Sequence, residues 1–168
     1  MRNTRKDIGK YLGSYTARGQ LSEADSEGGA QARIRLFDGS FKTGHVIREL
    51  YIFPSDMSSS SAPDVVAKLS TSPNVDTGAA TFLNFSDNRE IGWGGAYGST
   101  DSINGYVGVV DPDNLVVEDL WITARGSVEA ADVNYMVVMD KYEITDALGA
   151  VSMARDRAAD STGEWRTP

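Results

Sequence analysis

The chain has no cysteine and a single histidine among its 168 residues, which removes several classes of chemistry. Without cysteine there is no disulfide framework, no thiolate zinc site and no cysteine nucleophile. The histidine, His45, cannot form a Ser-His-Asp relay unless a carboxylate comes from elsewhere, and no G-x-S-x-G motif places a serine. Zinc normally takes three or four nitrogen or sulfur ligands, so we interpret His45 as a structural residue.

Long apolar segments are also missing from the sequence. No run approaches the ~20 apolar residues of a membrane-spanning helix, and the N-terminal segment has no apolar core of signal-peptide length. We therefore expect a protein made in the cytosol, with no membrane partner. The length fits one domain, which at this size buries roughly 70 % of its unfolded surface.

Short segments of alternating or β-branched residues recur along the chain and predict strands. Turn residues separate them at intervals of roughly 8–12 residues, which is typical of a β-sandwich or barrel. We expect Asp38-Gly39 to close a hairpin, and the glycine-rich segment 92–106 to form a loop or a bulged edge. The predicted strands are residues 32–37, 44–53, 64–70, 80–85, 89–93, 106–110, 115–123 and 133–144.

The period of the pattern changes near the C-terminus and predicts a helix. Thr145 or Asp146 can cap its first turn. A narrow apolar stripe follows, and it packs either on the sandwich or between subunits; its members are Leu148, Val151, Ala154 and Ala158. The expected fold is an all-β, antiparallel, jelly-roll-like sandwich with a short C-terminal helix and an extended N-terminal arm. The predicted divisions are an arm (1–30), the sandwich (31–145), the helix (146–160) and a flexible tail (161–168).

The charge of −8 is unevenly distributed along the chain. Five basic residues against Asp7 give residues 1–18 a net charge of +4, so the remaining residues carry −12. A basic arm on an acidic body can dock on an acidic neighbouring subunit, and nucleic acid contact is expected only through this arm. The alternative is a solvated terminus. The docking residues of the predicted arm are Arg2, Arg5, Lys6, Lys10 and Arg18.

The densest acidic segment lies at residues 111–119. Asp111 and Asp113 are weak candidates for calcium ligands, but the spacing does not match an EF-hand. Asp-Pro-Asp-Asn forms a strong turn without any metal. We therefore favour a turn and expect no metal and no cofactor. No pair of carboxylates is marked out for glycoside hydrolysis, and the chain is not expected to be an enzyme.

Aromatic residues among glycines predict a binding patch formed by Trp93, Tyr97 and Tyr106. In a lectin-like module this patch would stack on a sugar ring, whereas in an assembly it would pack against another subunit. The alternative is that Trp93 belongs to the core. In the C-terminal tail, Trp165 is most useful if a neighbouring subunit buries it.

Four segments together resemble small structural proteins of marine tailed phages and related environmental viruses. They are RIRLFDGSFKTGHVIRELYIFP, DNREIGWGG, VVDPDNLVVEDLWI and NYMVVMDKYEITDALGAVSMARDRAAD, and they span roughly residues 33–160. The resemblance implies a non-enzymatic virion protein with a jelly-roll-like sandwich, most simply a capsid decoration (cement) or minor capsid protein. The implied partners are copies of the chain and other capsid subunits, and the implied location is the virion. A single jelly-roll shell subunit, a carbohydrate-binding module and a small hydrolase with an acidic pair remain the alternatives.

Overall fold

Eight strands and one helix make up the part of the chain that the computed structural model describes, residues 8–22, 29–55, 64–73, 83–99, 102–127 and 132–162. The strands are β1 (Lys10–Leu21), β2 (Ala30–Ile34), β3 (Thr43–Pro54), β4 (Val65–Ser70), β5 (Glu90–Ser99), β6 (Ser102–Val110), β7 (Leu120–Gly126) and β8 (Val133–Glu143). The helix is α1 (Asp146–Thr162). None of the described helical residues forms a segment long and apolar enough to cross a bilayer.

The strands form two antiparallel sheets, which confirms the predicted all-β sandwich. A three-stranded sheet has the order β1-β8-β3, and a five-stranded sheet has the order β2-β7-β4-β5-β6. Early strands pair with late ones, β1 with β8 and β2 with β7, while β4 pairs with its neighbour β5. The chain is therefore folded back on itself from its middle outward.

The main core lies between the two sheets. Alternate residues of each strand point inward, so Leu50 and Ile52 of β3 meet Leu69 of β4 and Ile122 of β7 in one cluster. Each of these side chains is almost completely buried, and burying one contributes about 1.5–3 kcal/mol. The apolar alternation of β3 and β8 is the sequence feature that positions this core.

Part of the predicted N-terminal arm belongs to the sandwich. Residues 10–21 form β1, which pairs with β8 along its whole length from Lys10 opposite Glu143 to Leu21 opposite Val133. The predicted boundary of the arm at residue 30 is therefore wrong. A polar sequence made this segment resemble a free leader, because an edge strand with little buried surface needs few apolar residues.

Two predicted local features differ in the structure. Asp38-Gly39 does not close a hairpin, because β2 and β3 lie in different sheets and the turn connects them. The predicted strand at 115–123 begins only at Leu120, since Asp119 turns inward and accepts the N–H groups of Leu36 and Phe37 at 2.7 and 3.0 Å. Burial opposes ionisation of Asp119, but these hydrogen bonds and the nearby Arg33 outweigh it and lower the pKa of the carboxyl.

The residues before β7 close the outer edge of β3. The backbone of Val116 exchanges hydrogen bonds of 2.7 and 2.8 Å with His45. Two residues further along β3, the side chain of Asn114 bonds to the backbone of Ile47 in place of a neighbouring strand. Its Oδ1 accepts a hydrogen bond of 2.7 Å from the N–H of Ile47, and its Nδ2 donates one of 3.0 Å to the Ile47 carbonyl. The edge of β3 is thus covered up to the irregularity in its pairing at residues 47–49.

The glycine-rich segment 92–106, predicted as a loop or a bulged edge, forms most of the interior strand β5 and the start of the edge strand β6, with an irregularity in their pairing at Tyr97/Gly98. Glycine is tolerated here because the opposite sheet approaches closely. A Cβ at Gly94 would lie 3.0 Å from Ile52, and one at Gly92 would lie 3.3 Å from Leu69 and 3.4 Å from Leu50. The side chains of β3 therefore pack directly on the backbone of β5.

Helix α1 packs on the outer face of the three-stranded sheet. Thr145 caps it as predicted, with its Oγ1 accepting the N–H of Leu148 at 3.3 Å. Leu148 and Met153 contact a second apolar cluster, and Ser152 donates to the Leu115 carbonyl at 2.6 Å. The predicted stripe is wrong at Val151 and Ala154, which are exposed because the buried side of the helix is formed by Leu148, Ser152 and Met153.

Candidate interaction surface

The outer face of the five-stranded sheet carries an exposed group of apolar side chains. Residues of β5 and β6 that alternate with the core residues point outward and bring these side chains together. The exposed fractions are 67 % for Phe85, 58 % for Val107, 54 % for Tyr97, 48 % for Val109 and 37 % for Leu83. We call these five residues the apolar face.

An open cleft of about 540 Å³ lies within the apolar face. Trp93 and the backbone of Gly95 form part of its lining on β5, and Val66 borders it on β4. Polar residues stand at one end, where Arg125 of β7 is opposite Val66 and Asp64 precedes β4. Among the described residues that line it, the cleft is thus mainly apolar, and the charged groups of Asp64 and Arg125 stand at one end.

Residues 83–89 fold back over the outer face and form one wall of the cleft. The ring of Phe85 lies 4.3 Å from the ring of Trp93, measured between centroids. Within the segment, burial opposes ionisation of Asp87, but hydrogen bonds from the Arg89 side chain and backbone outweigh it and lower the pKa of that carboxyl. The ion pair between the two, 2.7 Å long, holds the turn closed.

A buried carboxylate attaches this wall to the sheet. Oε1 of Glu90 accepts a hydrogen bond of 2.9 Å from Nζ of Lys68. Oε2 accepts two more, one of 2.8 Å from Nε1 of Trp93 and one of 2.9 Å from the backbone N–H of Asn84. Both members of the ion pair are only 2 % exposed. Since Lys68 faces outward from β4 beneath this segment, the pair positions Trp93 and the wall together.

The predicted docking residues that the structure describes do not form one patch. Lys10 and Arg18 are exposed near opposite ends of β1, roughly 26 Å apart for an extended strand. Arg2, Arg5 and Lys6 lie outside the described residues. The prediction of a basic docking arm therefore stays a prediction.

The predicted aromatic patch is only partly a surface. Trp93 is 7 % exposed and lies beneath Phe85, so it offers no free ring face, whereas Tyr97 is exposed. Tyr106 lies in β6 with its side chain outside the described part, and Trp165 also lies outside it. Sequence reasoning missed Phe85, Val107 and Val109; the alternation in GYVGVV was the available indication for the two valines.

The acidic segment at residues 111–114 forms the predicted turn. The N–H of Asp113 donates to Oδ1 of Asp111 at 2.9 Å, and the N–H of Asn114 donates to the Asp111 carbonyl. Asn114 is buried and structural. Across the described residues, no group of three or more histidine, aspartate or glutamate side chains is arranged to hold a metal ion.

No protein-family model matches this chain, and no curated protein sequence is similar to it.

His45 is buried in β3, with 5 % of its surface exposed. Within the described part of the chain its Nδ1 has no hydrogen-bond partner. Burial, with a smaller contribution from the charge of Lys141, lowers the pKa of the imidazole, although Asp38 opposes this effect. The buried ring is therefore neutral at neutral pH.

The position of His45 predicts a pH dependence of stability. The unfolded histidine takes up a proton near pH 6.5, which the buried ring resists, so protonation favours the unfolded chain. We expect the free energy of unfolding to be highest above this pH and to fall as the pH decreases below it. Urea unfolding at pH 7.5, 6.5 and 5.5 measures this, with His45→Gln as the comparison. If the free energy of unfolding falls equally in the wild-type chain and in His45→Gln as the pH decreases, another group is responsible.

Proposed function

We propose that this chain is a non-enzymatic structural protein of a virion, most simply a capsid decoration or minor capsid protein that acts by packing against copies of itself and other capsid subunits. The observation that carries the proposal is the apolar face around the 540 Å³ cleft. Its five residues are 37–67 % exposed and line one cleft, and the largest apolar patch on a monomer is often functional. A protein partner that covers this apolar face removes it from water, which favours association.

The strand order supports the same proposal. Pairing of β1 with β8, β2 with β7 and β4 with β5 is the arrangement expected when a long hairpin is rolled into the two sheets of a jelly roll, although β6 pairs with β5 and not with β3. Jelly rolls are common in viral capsid proteins. Together with the sequence resemblance over residues 33–160, this favours a virion role over a carbohydrate-binding module. Burial of Trp93 also removes one of the three rings proposed to stack on a sugar.

The proposal is tested by the mass of the purified protein in solution. Multi-angle light scattering over a range of concentrations, followed by negative-stain imaging of the same fraction, measures whether copies associate. A discrete oligomer would support a decoration protein, and closed particles or tubes would support a shell subunit. A monomer at every concentration that also binds a glycan array would contradict the proposal, as would a monomer that binds no capsid.

The role of the N-terminal residues is tested by a truncation that leaves β1 intact. Removing residues 1–7 deletes three basic residues and one acidic residue, and we expect weaker association with an unchanged unfolding midpoint. Removing residues 1–18 also deletes most of β1, so we expect that variant to lose stability. Light scattering and urea unfolding of both variants separate the two effects. Unchanged association after the shorter truncation would contradict the docking arm.

A further inference from the structure

The four edges of the two sheets differ in how they are protected against pairing with another chain. In the three-stranded sheet, β1 carries Lys10, Arg18 and an irregularity at residues 11–13, and the edge of β3 is covered by Asn114 and Val116 as far as Ile47. In the five-stranded sheet, β2 is only five residues long. Short strands, charges and bulges are the usual devices that prevent association at sheet edges.

The edge strand β6 has few of these devices. Its nine residues, SINGYVGVV, include no charged residue and no proline, and no described strand pairs with its outer side. From Gly105 to Val110 its register with β5 is regular. Its outward-facing valines, Val107 and Val109, belong to the apolar face.

The register shows which backbone groups of β6 are directed to the open edge. The N–H of Asp111 donates to the Ile91 carbonyl at 2.9 Å, and residue pairs alternate between hydrogen-bonded and non-hydrogen-bonded along an antiparallel ladder. Val109 and Val107 therefore bond to β5 through Trp93 and Gly95. The N–H and C=O groups of the alternate residues Tyr106, Gly108 and Val110 point away from β5.

We propose that β6 pairs antiparallel with β6 of a second copy of this chain, across a two-fold axis at Gly108, so that two five-stranded sheets become one continuous sheet. This inference rests on the proposed function and specifies how copies meet. At this register Gly108 exchanges both hydrogen bonds with its counterpart, and Tyr106 bonds to Val110 of the second copy. The edge is thus complementary to itself, as a two-fold contact requires.

The side chains at this register also match. Val107 of one copy lies opposite Val109 of the other on the outer face, where β-branched pairs stabilise neighbouring strands. The contact covers the backbone of the β6 edge together with Val107 and Val109, while the remaining residues of the apolar face lie outside it. The pairing leaves the two clefts on the same side of the joined sheet, one on each side of the axis.

Engineered disulfides test the register, because the chain has no cysteine of its own. Opposite residues of a non-hydrogen-bonded pair have Cα atoms about 4.5 Å apart, within the range of a disulfide. The double variant Val107→Cys/Val109→Cys should form a covalent dimer on mild oxidation, seen as doubled mass on a non-reducing gel. Each single variant, Val107→Cys or Val109→Cys, should remain non-covalent because its new thiol faces a valine.

Lysine substitutions test the same contact without a covalent bond. In Val107→Lys/Val109→Lys the new charges face each other across the axis, and we expect the dissociation constant to rise about tenfold or more. Val151→Lys is the matched control, since Val151 is an exposed valine on α1. Sedimentation measures association, and circular dichroism with urea unfolding checks that each variant is folded.

The outcomes separate this inference from the proposed function. If the chain associates but the double cysteine variant does not cross-link, or a single variant cross-links equally well, the β6 contact or its register is wrong and the proposed function stands. The same conclusion follows if the lysine variant associates like the wild-type chain. If the wild-type chain neither associates with itself nor binds capsids, both proposals fail.

Discussion

Replacing Lys68 by methionine is expected to lower the free energy of unfolding by about 3–5 kcal/mol, because it leaves the carboxylate of Glu90 buried without a counter-charge. Each side chain of this pair is 2 % exposed. Loss of the ion pair should also free the side chain of Trp93 and the backbone of Asn84 from their hydrogen bonds to the same carboxylate. Urea unfolding measures the change, and tryptophan fluorescence reports the surroundings of Trp93.

Lys141 provides a matched control. Its ion pair with Asp38 has the same N–O distance of 2.9 Å, but it is more exposed. Solvent weakens such a pair, so Lys141→Met should cost less than about 1 kcal/mol. The double variant Lys68→Met/Glu90→Leu should be more stable than Lys68→Met alone, since it removes the unpaired charge. Similar losses in the free energy of unfolding for Lys68→Met and Lys141→Met would show that burial of the ion pair does not determine the cost of breaking it.

The second large loss is expected for Asn114→Ala, about 2–4 kcal/mol. The substitution leaves both the N–H and the carbonyl of Ile47 without their partner, and each unsatisfied buried group costs about 1–3 kcal/mol. Ile47 is 2 % exposed, so water does not readily replace the lost bonds. Urea unfolding measures the loss, and hydrogen exchange at the Ile47 amide tests its cause.

Asn134→Ala is the control for Asn114→Ala. Asn134 lies exposed on β8, where its Oδ1 accepts a hydrogen bond of 3.3 Å from Gln20. Surface substitutions of this kind usually change stability by less than about 0.5 kcal/mol. Slow exchange at the Ile47 amide in Asn114→Ala would show that another group had replaced the lost bonds.

The long strands were predictable because their apolar residues follow the pattern of the core. The predicted segments 44–53 and 133–144 agree with β3 and β8 to within one residue at each end, and both bury aliphatic side chains between the sheets. The capping residue Thr145 was predictable for a similar reason, since its hydrogen bond is local. Local chemistry and periodicity are properties that the sequence carries directly.

Features that depend on distant partners were not predictable. The strand β5 contains glycines that suit it only because Leu50 and Ile52 approach from the other sheet. Nothing near Phe85 in sequence indicates that its ring packs on Trp93, or that Glu90 holds the wall of the cleft beside it. Of the apolar face, only Tyr97 was predicted; alternation in GYVGVV indicates the two valines, whereas the position of Phe85 depends on its packing against Trp93.

The position of β8 has a consequence for synthesis of the chain. This strand is the hydrogen-bonding partner of both β1 and β3, and Lys10 pairs with Glu143. The three-stranded sheet therefore cannot form on the ribosome until residues 133–143 have emerged, long after β1 and β3. Unpaired strand edges of this kind favour aggregation before folding is complete. Folding of this sheet is thus expected to be slow, as for other folds dominated by distant contacts.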